Sequence, residues 1–179
     1  MKEDTRLLDF YAGRGGDHRG RTLSAVHRFP VEMLEYEHDF IQWLFPLRTP
    51  SPVNPEAPTL SERDIAEFRS NETLKVRLRE SFELMLDFYG LAIVEIDLGI
   101  TVQRTEAFDR RGENWLRPGN HNFLRITRIL TSLAILGHEQ LAQAFLDCLA
   151  TIFDDYRAII GDRTWSFWSA ALADTNLPP

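Results

Sequence analysis

A chain of 179 residues with 44% hydrophobic and 26% charged side chains is long enough to bury a full core, which excludes wholesale disorder and a purely fibrous architecture. A formal net charge of -7 and a pI near 5.2 exclude a broad, sequence-independent nucleic-acid surface, since that needs an excess of basic charge. Cys148 is the only cysteine, so no internal disulfide forms, and the mixed charge of the first ten residues with no long apolar run leaves neither a signal peptide nor a membrane span. These features place one domain, residues 1–179, in a reducing cytoplasmic compartment.

Asp4 to Tyr11 is predicted as a short helix carrying Leu7, Leu8, Phe10 and Tyr11, stopped by Gly13, Gly15 and Gly16. The glycine loop lacks the spacing of a phosphate cradle and follows no hydrophobic strand, so nucleotide binding is a poor reading. A second helix is predicted from Pro30, where a missing N–H costs little, to Phe45, with Leu34, His38, Ile41 and Phe45 on one face. Leu47 to Pro58, with Pro50, Pro52, Pro55 and Pro58, reads as an extended connector. Thr59-Leu60-Ser61-Glu62 has the form of a capping box for a helix to Arg69.

Asn71 to Tyr89 places Leu74, Leu78, Phe82, Met85 and Tyr89 at helical spacing, with Gly90 as the stop. From Leu91 to Gly119 the period is lost, and Ile93, Val94, Ile96 and Val102 fit either a small β-ribbon or an irregular packed loop. Asn120 to Leu136 is predicted as a central helix, paired through Gly137 with a helix from His138 to Ile160 that carries Cys148 on its apolar stripe. Asp162 caps a last helix to about Leu172, anchored by Trp165 and Trp168. The fold class is all-α: a multi-helix bundle with a long irregular segment over 91–119 that leaves room for a ribbon.

Three segments, His38-Asp39-Phe40-Ile41-Gln42-Trp43-Leu44-Phe45-Pro46-Leu47, Phe88-Tyr89-Gly90 and His121-Asn122-Phe123-Leu124-Arg125-Ile126-Thr127-Arg128-Ile129-Leu130, resemble the conserved domain of the opioid growth factor receptor family in order and interval. The loop from Asp17 to Arg21 and the Asn54-Pro55 pair resemble its shorter, prokaryotic-type members. The resemblance implies a helical domain. Animal members are described as receptors for an endogenous opioid peptide acting in growth inhibition from intracellular and nuclear-associated positions, and no catalytic residue comes with the family.

The motifs carry more polar residues than a bundle requires: Asp17, Arg19, Arg21, His38, Gln42, Asn54, Asn120, His121, Asn122 and Arg125. Asn120, His121 and Asn122 open the central helix, where free N–H groups and the dipole favour an anion, and Arg125 follows one turn on. With Trp43 and Trp115 as apolar walls, these residues form a candidate site for a carboxylate, a phosphate or a peptide end. The competing reading is structural: Asn120 caps the helix, His121 bonds a backbone carbonyl, and the arginines pair with Asp17 and Asp39.

His38 and His121 without HExxH, CxxC or a neighbouring carboxylate spacing make a poor metal site, and no cofactor is implied, although a haem or other metal group held by either histidine stays a minor alternative. Cys148 sits beside Asp147 in an environment that raises a thiol pKa, and no serine lies in a nucleophile elbow, so enzyme activity has no support in the sequence. The sequence favours a non-catalytic binding module, with a structural or interaction scaffold, including a homo-oligomer, as the rival.

Overall fold

The computed structural model describes residues 4–97 and 99–173, so the first three residues of the N-terminal stretch lie outside it. Among the described residues the chain forms ten helices and one two-stranded antiparallel ribbon, a mostly helical fold. No helix among the described residues is long and apolar enough to cross a membrane. The chain divides into two compact units, one ending at Ser81 and the other beginning at Phe82.

The first unit holds α1 (Arg6–Tyr11), α2 (Leu23–Val26), α3 (Val31–Tyr36), α4 (Ile41–Leu44), α5 (Glu62–Ser70) and most of α6 (Glu72–Tyr89). The helix expected from Pro30 to Phe45 is therefore two short helices. Glu37 is extended, with φ -81° and ψ 136°, and its carboxylate is held by Arg19 at 2.6 Å, a tertiary demand that overrides local periodicity. The capping box of α5 is built two residues later than the motif suggests: Ser61 accepts from the N–H of Asp64, whose carboxylate accepts from the N–H of Ser61 at 2.9 Å. Asn71 caps α6 by accepting the N–H of Thr73 at 3.0 Å and of Leu74 at 3.3 Å.

The core of this unit is aromatic. Phe10 meets Trp43 edge-on with centroids 5.3 Å apart, and Tyr11 meets Phe68 in the same way at 4.8 Å. The Tyr11 hydroxyl donates to the Leu44 carbonyl, and the Arg77 guanidinium donates to the Tyr11 carbonyl, so α1 is tied to both α4 and α6. Each such fully buried aromatic contributes on the order of 1.5–3 kcal/mol of transfer free energy.

The second unit holds the end of α6, then β1 (Leu91–Ile96), β2 (Gly99–Arg104), α7 (Phe108–Trp115), α8 (Asn122–Ile135), α9 (Glu139–Ile160) and α10 (Asp162–Ala170). The 91–119 segment holds the small β-ribbon for which the sequence left room, and a helix, α7, that was not expected follows it. Gly90 has φ +77°, and a Cβ there would lie 2.6 Å from Phe108 Cα, so the turn into β1 admits only glycine without displacing backbone. α8 and α9 form the expected hairpin. Gly137 takes φ +93°, and the N–H of His138 reaches back to Leu133 O at 2.8 Å, which closes the end of α8.

α10 packs on both helices of that hairpin. Trp168 is fully buried and donates its indole N–H to Phe123 O at 3.0 Å, while Trp165 stacks on Phe153 at 5.0 Å. Near its end α9 kinks at Tyr156, where φ is -120° and ψ 25°, and the Tyr156 ring lies against Phe108.

Candidate functional site

The loop before α2 folds around Asp17. Its side chain has no solvent exposure; one carboxylate oxygen accepts the N–H groups of Arg19 and Arg21, both at 2.9 Å, and the other accepts Nε of Arg21 at 2.6 Å. Gly16 makes the tight closure possible, since a Cβ there would lie 2.7 Å from the carbonyl carbon of Gly20.

Both arginines of this loop also reach the α3–α4 junction. Arg21 Nη2 donates to Asp39 at 2.7 Å; Arg19 Nη1 donates to Glu37 at 2.6 Å and to Asp39 at 3.3 Å. Burial pushes the Asp39 carboxyl up, but hydrogen bonds and charge from Arg21, then Arg19, outweigh it and hold the group below the usual carboxylate range. His18 completes the cluster. Its Nδ1 accepts from the Trp43 indole N–H at 3.2 Å and its Nε2 lies 3.3 Å from Asp39, an arrangement that makes Nε2 the protonated nitrogen of the neutral ring.

Amides finish the junction from behind. Asn54 donates to Asp39 O at 2.8 Å, and Gln42, in the amide orientation that satisfies both ends, donates to the carbonyls of His38 and Asp39 at 3.2 and 3.3 Å. Five of the residues singled out by sequence, Asp17, Arg19, Arg21, Gln42 and Asn54, are therefore brought together, with Trp43 buried alongside. His38 is not on the apolar face: with α3 ending at Tyr36 it is exposed and bonds Tyr36 O through Nδ1 at 2.7 Å. Sequence reasoning missed His18 and Glu37. The alternation of charge in Asp17-His18-Arg19-Gly20-Arg21 was the available signal for His18; nothing local pointed to Glu37.

In the second unit the polar residues gather where α8 begins. Asn120 Oδ1 accepts the N–H of Asn122 at 2.8 Å and its Nδ2 at 3.0 Å, while Asn120 Nδ2 donates to Asn114 O at 3.0 Å, fastening the end of α7 to the start of α8. Asn122 is fully buried and its Oδ1 accepts from Arg125 Nη1 at 3.2 Å. Arg125 itself is only 5% exposed. One turn further, burial pushes the Arg128 guanidinium below its ordinary pKa. Trp115 lies in the core, donating to Tyr89 O at 3.2 Å. Burial likewise raises the Cys148 thiol to about 11. Among the described residues no group of three or more His, Cys, Asp or Glu side chains is placed to hold a metal ion.

Residues 20–173 match the region described as the opioid growth factor receptor (OGFr) conserved region. The chain is 45% identical to the human opioid growth factor receptor over 108 residues, which is 60% of this chain and 16% of that protein. It is 44% identical to the mouse opioid growth factor receptor, over 60% of this chain and 17% of that protein. To opioid growth factor receptor-like protein 1 of Xenopus tropicalis it is 40% identical, over 60% of this chain and 20% of that protein. The match thus spans a fifth or less of these relatives' length. No solved structure matches the chain at a significant level.

Proposed function

The chain belongs to the opioid growth factor receptor conserved-region family, and on that premise we propose that it is a non-catalytic binding domain whose ligand, a small anion or the carboxylate end of a peptide, sits at the start of α8. The observation that carries this reading is cationic charge held at low dielectric on one helix: Arg125 is buried, and burial alone lowers the pKa of Arg128 three residues on. An anion there is stabilised more strongly than at the surface, and the guanidinium fork suits a carboxylate or phosphate. The first N–H groups of α8 are already engaged by Asn120, so side chains, not helix backbone, would supply the contacts.

A thermal-shift titration of the full chain tests the site with phosphate, acetate, and a short peptide bearing either a free or an amidated C-terminus. Ligand at about a hundred times its Kd adds about 2.7 kcal/mol. That gain should require the free carboxylate and should vanish in Arg125→Ala and Arg128→Ala, measured against each variant's own ligand-free melting point. Stabilisation that persists in both variants sinks the reading. The relatives named as receptors are far longer chains, so reception of a peptide is proposed here only for its end group. Placement in the cytoplasm is proposed with it, since the buried free thiol of Cys148 suits a reducing compartment.

A second reading is favoured by the saturated ion pairs around Asp17: Arg19 and Arg21 spend their donors on Asp17, Glu37 and Asp39, which suits a scaffold whose polar motif locks a loop. It predicts no ligand response and a partner or second copy detectable as a raised native mass.

A further inference from the structure

The hairpin leaves one edge of β2 unused. Ile96 pairs with Gly99 at one end of the ladder, and the Thr105 N–H donates to Gly90 O at 2.9 Å beyond the other. Both facts fix the same alternation: Thr101 and Gln103 exchange hydrogen bonds with Val94 and Ala92, whereas Ile100, Val102 and Arg104 turn their N–H and C=O groups away from β1. Among the described residues no other backbone group meets those outward donors and acceptors.

A cleft of about 410 Å³ runs along that edge. Ile100, Thr101, Val102, Gln103 and Arg104 all line it, and no residue of β1 does. Five successive residues line a cavity together only when it follows the strand's backbone edge, since alternate side chains point to opposite faces. The opposite wall is one face of α9, formed by Ala144, Asp147, Cys148 and Thr151 at helical spacing. Arg104 anchors this wall, donating to Asp155 at 2.6 Å and to Thr151 O at 3.2 Å, so its charge is already matched. Asp147 is exposed, and among the described residues it accepts from the Gln143 amide at 2.8 Å and makes no ion pair. The uncompensated charge of the cleft is therefore negative.

We propose that the β2 edge and α9 form a docking groove for an extended segment of another protein that carries a lysine or arginine. The segment adds to the ribbon as a third strand, exchanging hydrogen bonds with Ile100, Val102 and Arg104, and its basic side chain reaches Asp147. Main-chain pairing gives the affinity and the charge gives the selectivity, as in other strand-addition grooves. This groove is independent of the α8 site.

The test uses the full chain and an array of peptides about the length of β2, with randomised flanks around a central Lys, Glu or Leu. Peptides retained by the chain should be those with Lys, and amide hydrogen exchange should slow at Ile100, Val102 and Arg104 when one is bound. Asp147→Arg, a surface change, should weaken the Lys peptides by about tenfold or more and bring in the Glu peptides. The proposal is overturned if no peptide is retained, if Glu or Leu peptides are preferred by the unaltered chain, or if slowed exchange appears elsewhere. It is equally overturned if the three amides are protected without peptide in a concentration-dependent dimer, because a second copy would then be the occupant.

Discussion

Asp17→Ala is the substitution that most directly probes the loop around the arginine cluster. The carboxylate is completely shielded and serves two backbone N–H groups and Arg21 Nε. Alanine strands all three donors; a buried unsatisfied donor costs about 1–3 kcal/mol, and breaking a buried ion pair about 3–5 kcal/mol. Because 16% of the Arg21 side chain meets solvent and water can partly replace the lost acceptor, the lower end applies, about 3 kcal/mol. For a chain of this size that is a fall in Tm of about 6–12 °C, read from a circular-dichroism melt and checked by urea titration. Asp17→Asn keeps the oxygen that serves both backbone groups but turns an amide NH2 toward Arg21 Nε, losing that one acceptor along with the charge, so it should cost less than alanine, about 1–2 kcal/mol. An alanine variant within about 0.5 kcal/mol of the parent, or an asparagine variant as damaging as alanine, refutes the reasoning.

Other expectations follow from single contacts. Asp39 is held below its ordinary range by the arginines, so its stabilising contribution is complete above the unfolded carboxylate pKa of about 3.9 and is lost as pH falls through the lower folded value. Asp39→Asn should flatten that acid limb in melts recorded across pH 2–6, roughly the carboxylate window; an unchanged limb shows the pairing is not energetic. Gly90→Ala forces a Cβ against Phe108 Cα at φ +77° and should cost about 2 kcal/mol or more by urea titration, against nearly nothing at the open, positive-φ Gly119 beyond its backbone strain. Asn71→Ala should lose about 1 kcal/mol of helix cap in the same assay. With its thiol raised to about 11 by burial, Cys148 should react with iodoacetamide near neutral pH far more slowly in the native chain than in urea; equal rates contradict the burial.

What the sequence made legible was whatever depends on period and punctuation. α6 with its Asn71 cap and Gly90 stop, and the α8–α9 hairpin around Gly137, stand where the stripes of Leu74 to Tyr89 and Phe123 to Leu133 put them. What stayed hidden depends on tertiary demand. The break between α3 and α4 exists because Glu37 is drawn out to Arg19, from a loop eighteen residues earlier that no periodicity connects to it. α7 escaped notice because Gly112, a poor helix former, occupies the buried stripe between Phe108 and Trp115, where a Cβ would press on Leu116 at 3.1 Å. The motif residues were legible as a set, since Asp17, Arg19 and Arg21 share a loop. Pairing of the arginines with Asp17 and Asp39 was legible as the competing structural reading; that Glu37 would join them was not, because that contact is a property of the folded geometry.

The central claim, an anion site at the start of α8, is most directly tested by titrating the isotopically labelled chain with phosphate and with an N-acetylated dipeptide while following backbone and Arg Nε resonances. The account predicts saturable shifts centred on Asn122, Arg125 and Arg128 that disappear when the dipeptide is amidated. Shifts spread diffusely over exposed arginines, or none at millimolar ligand, would contradict it.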